Sequence, residues 1–372
     1  MSKTFHGGDL AHATELFGEP EGGWQDLSTG VSPWSYPLGE VPEYVWRSLP
    51  ADQSALMDTA SEYYGAGREH LLPVPGSQYA ISRLPGLVDG AAVAVPAPGY
   101  AEHARCWKNA GHRLFYYRSR EALSELILSG RVRHAVVINP NNPTGECISP
   151  QTLLDLYREL PGIMLVDEAF ADVNPALSLA GRVAENPRLY VLRSLGKFFG
   201  LAGVRLGFLL GSGSCVQQLR DAMDPWAVSA PALWAATRAL ADSAWHGVQR
   251  RRIADTSQRL MELLEGRLPE AAVATNAGLF ISLHGEPRSL YSLYQRLGRA
   301  GVYSRWGYKV PGDEQQAWLR LGLADDGGQR LGLALGKGNY PPRQSPLPLW
   351  GRGGAGQRPL PRPLPRKRER GE

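Results

Sequence analysis

The stretch "SLGKFFGLAGVRLGF", Ser194 to Phe208, carries two charged residues, Lys197 and Arg205, in a run that is otherwise apolar or glycine apart from the Ser194 hydroxyl. A surface lysine keeps its ammonium in water. A lysine beside Phe198, Phe199 and Leu201 is open to desolvation, which lowers its pKa and frees the amine as a nucleophile. The question the stretch raises is which carbonyl Lys197 attacks.

Upstream of Lys197, short apolar runs alternate with helical patterns. "AAVAVPAP" near Ala91, "RHAVVINP" near Ala135, "GIMLVDEAF" near Leu165, "LYVLRS" near Val191 and "VRLGFLLG" near Leu206 read as strands. Between two of them lies "SPQTLLDLYREL", where Ser149 can cap a helix and Pro150 takes its first position. This rhythm predicts an α/β fold with a mostly parallel sheet covered by helices on both faces. Ligands of such sheets bind at loops leaving the carboxyl ends of strands. After about Ala230 one long helical pattern, running to about Leu268, suggests a helix crossing between domains, and "AGLFISL" and "WLRLGL" read as strands of a smaller α+β part.

Distinctive polar residues fall at the strand ends. "NPNNPTG" presents Asn142 in a rigid turn, "VDEAF" puts Asp167 at a strand tip, and "RSLGK" delivers Ser194 and Lys197. "PVPGSQYAI" places Ser77 and Gln78 at the start of a helix, whose first N–H groups suit a phosphate, and "PAPGYAEH" ends a strand beside Tyr100. Singly, each has a plainer reading: Asp167 as a cap, Asn142 as a turn residue, Tyr100 as core, Lys197 reaching solvent, Arg205 pairing with a surface acid. Together the groups supply what pyridoxal phosphate needs. Lys197 condenses with the aldehyde, Asp167 pairs with a protonated ring nitrogen and Asn142 bonds the ring hydroxyl. Tyr100 stacks on the ring, and Ser77, Gln78, Ser194 and Arg205 hold the phosphate.

These motifs resemble those of the fold-type-I pyridoxal-phosphate enzymes of the class I/II aminotransferase group, over about residues 5 to 325. The resemblance implies the same cofactor roles for Lys197, Asp167, Asn142 and Arg205, with Arg320 in "WLRLGL" taking a substrate carboxylate. It also implies a homodimer. Within the group the chain resembles the branch of threonine-phosphate decarboxylases of cobalamin biosynthesis. The opening "HGG", His6, Gly7 and Gly8, is similar to that branch's N-terminal signature, which implies contact with the substrate, and "LSTGVSP" is similar to its substrate loop. Phe170 stands where histidinol-phosphate aminotransferases carry a tyrosine that bonds the ring hydroxyl. The resemblance therefore implies release of carbon dioxide from L-threonine O-3-phosphate, with a histidinol-phosphate-type aminotransferase, or an inactive pyridoxal-binding regulator, as alternatives. One departure is "LPADQS", which has no tyrosine where related aminotransferases carry a Tyr-Pro pair that reaches the neighbouring subunit.

Composition sets the outer bounds. The 372 residues are 43% hydrophobic and 20% charged, as in a soluble globular protein with room for two domains. The N-terminus has no apolar run of the signal-peptide kind, and no stretch approaches the roughly 20 apolar residues of a membrane helix. Three cysteines without CxxC spacing point to the cytoplasm and to no metal cluster. The net charge of +4 is carried by residues 341–372, which hold seven Arg, one Lys, two Glu and eight of the 29 prolines, a balance of +6 that leaves the rest at −2. That segment is expected to be a disordered extension, with no nucleic-acid or membrane role. The expected division is an arm with part of the small domain over 1–44, a large cofactor-binding domain over 45–235, a small domain over 236–330 and a tail over 331–372. The final helix, expected after Leu323, runs toward the proline-rich tail and is expected to be short.

Overall fold

The computed structural model describes residues 7–212, 214–269, 272–310 and 313–336. His6 and the proline- and arginine-rich tail lie outside the described residues.

Seven strands form the central sheet: β1 (Leu71–Val74), β2 (Ala92–Pro96), β3 (Arg113–Tyr117), β4 (His134–Ile138), β5 (Met164–Asp167), β6 (Leu189–Ser194) and β7 (Gly207–Gly211), in the order β1-β7-β6-β5-β4-β2-β3. Pairing is parallel from β3 across to β6, and β7 runs antiparallel to both β6 and β1. Apart from the edge strand β3, the sheet is buried on both faces. Met164 and Val166 of β5 belong to one apolar cluster and Leu165 to the other, as a period of two requires. Two of these strands escape a reading of the sequence. β1 is the four-residue "LLPV", whose Pro73 argues against a strand but is tolerated at a sheet edge. β3, "RLFYY", lies at the other edge and follows a helix by only three residues.

Helices α1 (Ser77–Arg83), α2 (Ala101–Asn109) and α3 (Pro150–Glu159) follow the ends of β1, β2 and β4. Ser149 caps α3 as expected: its hydroxyl accepts the Thr152 N–H at 3.2 Å. The long helical pattern after Ala230 is not one helix. It splits into α4 (Ala230–Ala241) and α5 (Ser243–Leu264) at Asp242, which leaves the helical region and whose carboxylate accepts the Trp245 N–H at 2.9 Å. An N-capping side chain there starts a new helix rather than continuing the old one.

The C-terminal part has its own antiparallel sheet of β8 (Val273–Asn276), β9 (Phe280–Gly285), β10 (Arg305–Val310) and β11 (Asp313–Gly322), in the order β10-β11-β9-β8, with helix α6 (Pro287–Arg299) between β9 and β10. Gln25–Asp26 pairs in parallel with Val302–Tyr303, so the N-terminal arm is stitched to this part. After Leu323 the chain forms α7 (Gln329–Leu335), a helix of seven residues.

Candidate active site

The carboxyl ends of β4, β5 and β6 converge on a cavity of about 420 Å³ that also reaches the β10–β11 hairpin. Eleven of the twelve residues singled out from the sequence fall in the described chain, and ten of them, all but Gly8, line this cavity.

Asp167 is the last residue of β5 and is 4% exposed. One carboxylate oxygen accepts the Ala169 N–H at 3.0 Å, and the other lies 2.9 Å from Nε2 of His103, itself buried. With a carboxylate as acceptor Nε2–H is the donor, and the contact fixes the orientation of the Asp167 side chain at the cavity wall. The capping role thus coexists with the aimed carboxylate. His103 has no signal in the sequence beyond its place three residues after Tyr100, one turn into α2.

Lys197 sits in the turn after β6. Its Nζ lies 5.6 Å from the centroid of the Phe170 ring, which packs edge-on against Phe280. Burial, reinforced by the nearby guanidinium of Arg320, lowers the amine from its ordinary 10.5 to about 8. Asp167 opposes that shift and Arg205 adds to it.

Arg320 is 5% exposed. One guanidinium nitrogen donates to Oδ1 of Asn142 and another to the Ser28 carbonyl. Its Nε is buried with no partner among the described residues. Burial, with Arg305 nearby, lowers its pKa to about 9. Arg305, which the sequence did not single out, faces Arg320 directly across the hairpin and lines the same cavity. The buried Arg320, with an orphaned N–H, and the half-buried Arg305 beside it call for an anion.

A second anion cradle lies at the start of α1. Arg205 is the one non-glycine with positive φ (54°) among the described residues, a left-handed conformation that costs roughly 1–2 kcal/mol. The turn brings its guanidinium over Gly76, where a Cβ would stand 2.7 Å from Nη2. Gly207 is equally confined, since a Cβ there would stand 2.7 Å from the Ser77 nitrogen. No side chain caps α1, so its first N–H groups face the cavity with Ser194 and Arg205. Tyr100 closes the side of the cavity. Its hydroxyl donates to Oε1 of Gln78 at 3.0 Å, and Gln78 Nε2 donates to Glu102 at 3.1 Å. The side chain of Gln78 is therefore committed to Tyr100 and Glu102, and what it offers an anion is its backbone N–H. Burial raises the Tyr100 phenol to about 12.

From the arm, Gly7 lines the cavity at a point where a Cβ would stand 2.4 Å from the Ser28 carbonyl, and Thr29 and Val31 of "LSTGVSP" line it too. Gly8 does not line it; its N–H donates to the Ser28 hydroxyl at 2.8 Å. An amine with a lowered pKa, a buried carboxylate, a confined anion cradle and a half-buried aromatic wall fit an aromatic aldehyde phosphate such as pyridoxal phosphate. Among the described residues no group of three or more His, Cys, Asp or Glu could hold a metal ion, and no helix is long and apolar enough to cross a membrane.

The chain is similar to known proteins along most of its length. Residues 46–327 match the family model for aminotransferase class I and II. The chain is similar to a threonine-phosphate decarboxylase of Pseudomonas aeruginosa, 43% identical over 324 residues, covering 86% of this chain and 93% of that protein. It is also similar to a threonine-phosphate decarboxylase of a Sinorhizobium species, 36% identical over 349 residues, covering 89% of this chain and 97% of that one. Among solved structures, a histidinol-phosphate aminotransferase of Sinorhizobium meliloti in complex with pyridoxal-5'-phosphate shares the fold, with a TM-score of 0.70, 20% identity and coverage of 82% of this chain and 89% of the other.

Proposed function

The chain belongs to the class I and II aminotransferase family, and from that premise we propose that it is a pyridoxal-phosphate-dependent decarboxylase acting on L-threonine O-3-phosphate. The likeness to threonine-phosphate decarboxylases along nearly the whole chain carries this reading. Pyridoxal phosphate bound in the cavity supplies an aldehyde for the substrate amine and a protonated ring that draws electrons from the bond broken at Cα.

The chain's own residues do the rest. Asp167, fixed by His103, keeps a proton on the ring nitrogen. The α1 N–H groups, Ser77, Ser194 and Arg205 would hold the cofactor phosphate, and Tyr100 would cover one side of the ring. Asn142 would bond the ring hydroxyl, and Arg320, which donates to the Asn142 amide oxygen, couples that loop to the hairpin. Lys197 is partly neutral near pH 8, so it can attack a carbonyl and afterwards deliver or remove a proton at Cα. Arg320 and Arg305 meet the substrate's carboxylate and phosphate beside Gly7 of the arm, and the likeness of "HGG" to the branch's N-terminal signature adds His6 and Gly8 as substrate-binding residues. The same reading takes the protein as a homodimer in the cytoplasm, built as a large domain over 45–235 and a small domain over 236–330 that shares the arm. Exposed Tyr44, Trp46 and Leu49 support a subunit contact on the segment after the arm.

The runner-up is transamination of a phosphorylated amino alcohol such as histidinol phosphate, which the shared fold permits. Phe170 speaks against it: a buried phenyl, packed on Phe280, stands at the place of the tyrosine implied for that branch. The deciding experiment incubates the holoenzyme with L-threonine O-3-phosphate and no keto acid. Release of carbon dioxide and aminopropanol phosphate is expected. Turnover only with histidinol phosphate and 2-oxoglutarate would overturn the decarboxylase reading.

A further inference from the structure

A second cavity, of about 400 Å³, lies against the first, lined by Arg118, Thr144, Glu146, Thr275 and His284. Trp318 lines both. Its placement follows from the hairpin register. On β11, residues 318 and 320 are two apart and share a face, so Trp318 stands beside Arg320 on the side facing the cofactor cavity. Across the ladder Arg305 is opposite Arg320, and Gly307 is opposite Trp318. A Cβ at Gly307 would stand 2.3 Å from the indole carbons Cε2 and Cζ2. The glycine thus makes room for the indole to lie across the strand, between the two spaces and next to the guanidiniums.

We propose that Trp318, seated on Gly307, is a specificity-determining wall: it closes the substrate end of the cofactor cavity and restricts the protein to short phosphorylated amino acids. The proposal rests on the substrate class inferred above. A β-methyl group, as in threonine phosphate, fits beside the indole, and a bulkier β substituent meets it. Without the indole the two cavities run together, and the space bounded by Thr144, Thr275 and His284 becomes part of the substrate pocket. Neither Trp318 nor Gly307 stands out in the sequence, because only the register sets one across from the other.

The test compares O-phospho-L-threonine with its β-phenyl analogue, O-phospho-3-phenylserine, which keeps the carboxylate, amine and phosphate and changes bulk alone. Dissociation constants are measured by calorimetry on the cofactor-loaded Lys197→Ala protein, where no turnover intervenes, and again with Trp318→Ala or Trp318→Phe added. The expected result is a fall of about ten-fold or more in the ratio of the phenyl to the methyl constant for Trp318→Ala, and a smaller fall in the same direction for Trp318→Phe. A ratio that falls less than about three-fold in Trp318→Ala, or that does not fall in Trp318→Phe, would overturn the proposal. Trp318→Phe keeps an aromatic ring on Gly307 and carries the test if Trp318→Ala does not fold. The carbon dioxide assay on the parent enzyme decides the decarboxylase reading separately, since the binding ratio does not depend on which bond is broken.

Discussion

Replacing Lys197 with methionine in the cofactor-free protein should stabilise the fold at neutral pH, although it removes the residue proposed to carry catalysis. Burial brings the Lys197 amine from 10.5 to about 8. At about 1.4 kcal/mol for each pH unit, holding that amine charged in the folded state costs roughly 3 kcal/mol, and water entering the cavity brings the figure nearer 2 kcal/mol. The sign follows from proton counts. Below pH 8 both folded and unfolded chains carry the proton, and the cost is present in full. Between 8 and 10.5 the folded chain sheds the proton while the unfolded chain keeps it, so the parent gains stability as pH rises. Above 10.5 both are neutral and the cost is gone. The advantage of Lys197→Met should therefore be greatest at pH 7, shrink as pH passes 8 and disappear near 10.5. Urea unfolding of parent and variant at about pH 7 and about pH 9.5 measures it. Equal stability at pH 7, or an advantage that does not shrink at higher pH, would refute the idea that Lys197 is held in a desolvated, readily deprotonated state.

Three further outcomes are expected. Asp167→Asn should lower kcat by about 3 kcal/mol in barrier or more while the cofactor's visible absorbance shows that it is still bound, because it removes the charge that holds the ring proton. Arg193→Ala should cost about 3–5 kcal/mol in urea unfolding, because it leaves the buried carboxylates of Glu168 and Asp172 without their shared partner. Asn139→Ala should cost about 2–3 kcal/mol, since the Asn139 amide, fully buried, both accepts from the Ile148 N–H and donates to the Ile148 carbonyl at 2.9 Å, closing the loop that carries Asn142.

The parts of the site that could be read from the sequence are those whose chemistry is local. Lys197 and Arg205 stand out because a charge in an apolar, glycine-rich run must have a reason, and Asp167 and Asn142 because each closes an apolar strand. Gly76 and Gly207 are legible as glycines, but what they make room for, the Arg205 guanidinium and the Ser77 nitrogen, is known only once β1 and β7 are paired. The same limit hides β1 itself: a four-residue strand with a proline looks like a loop until β7 is laid beside it. The break at Asp242 was readable in principle, since aspartate followed by serine is a capping signal, yet the apolar periodicity on either side outweighs it by eye.

What could not be read is whatever depends on register or on contact between distant elements. His103 becomes a partner of Asp167 because α2 brings its ring to the tip of β5, and nothing in its neighbours' sequence says so. Arg305 and Arg320 are fifteen residues apart, and the segment between them could pair in several registers. The observed one sets Gly307 against Trp318 and puts both guanidiniums on the cavity face, and a slip of one residue would send one strand's set to the other side. In that alternative the aromatic stack of Trp306 with Tyr294 and Tyr308, which fills the opposite face of β10, would turn toward the cavity as well. The register is thus held by apolar packing on one face, and the charged pair and the indole wall on the other face follow from it. A residue proposed to bind substrate is here fixed by residues that never approach it, which is why the site's chemistry is legible before its geometry.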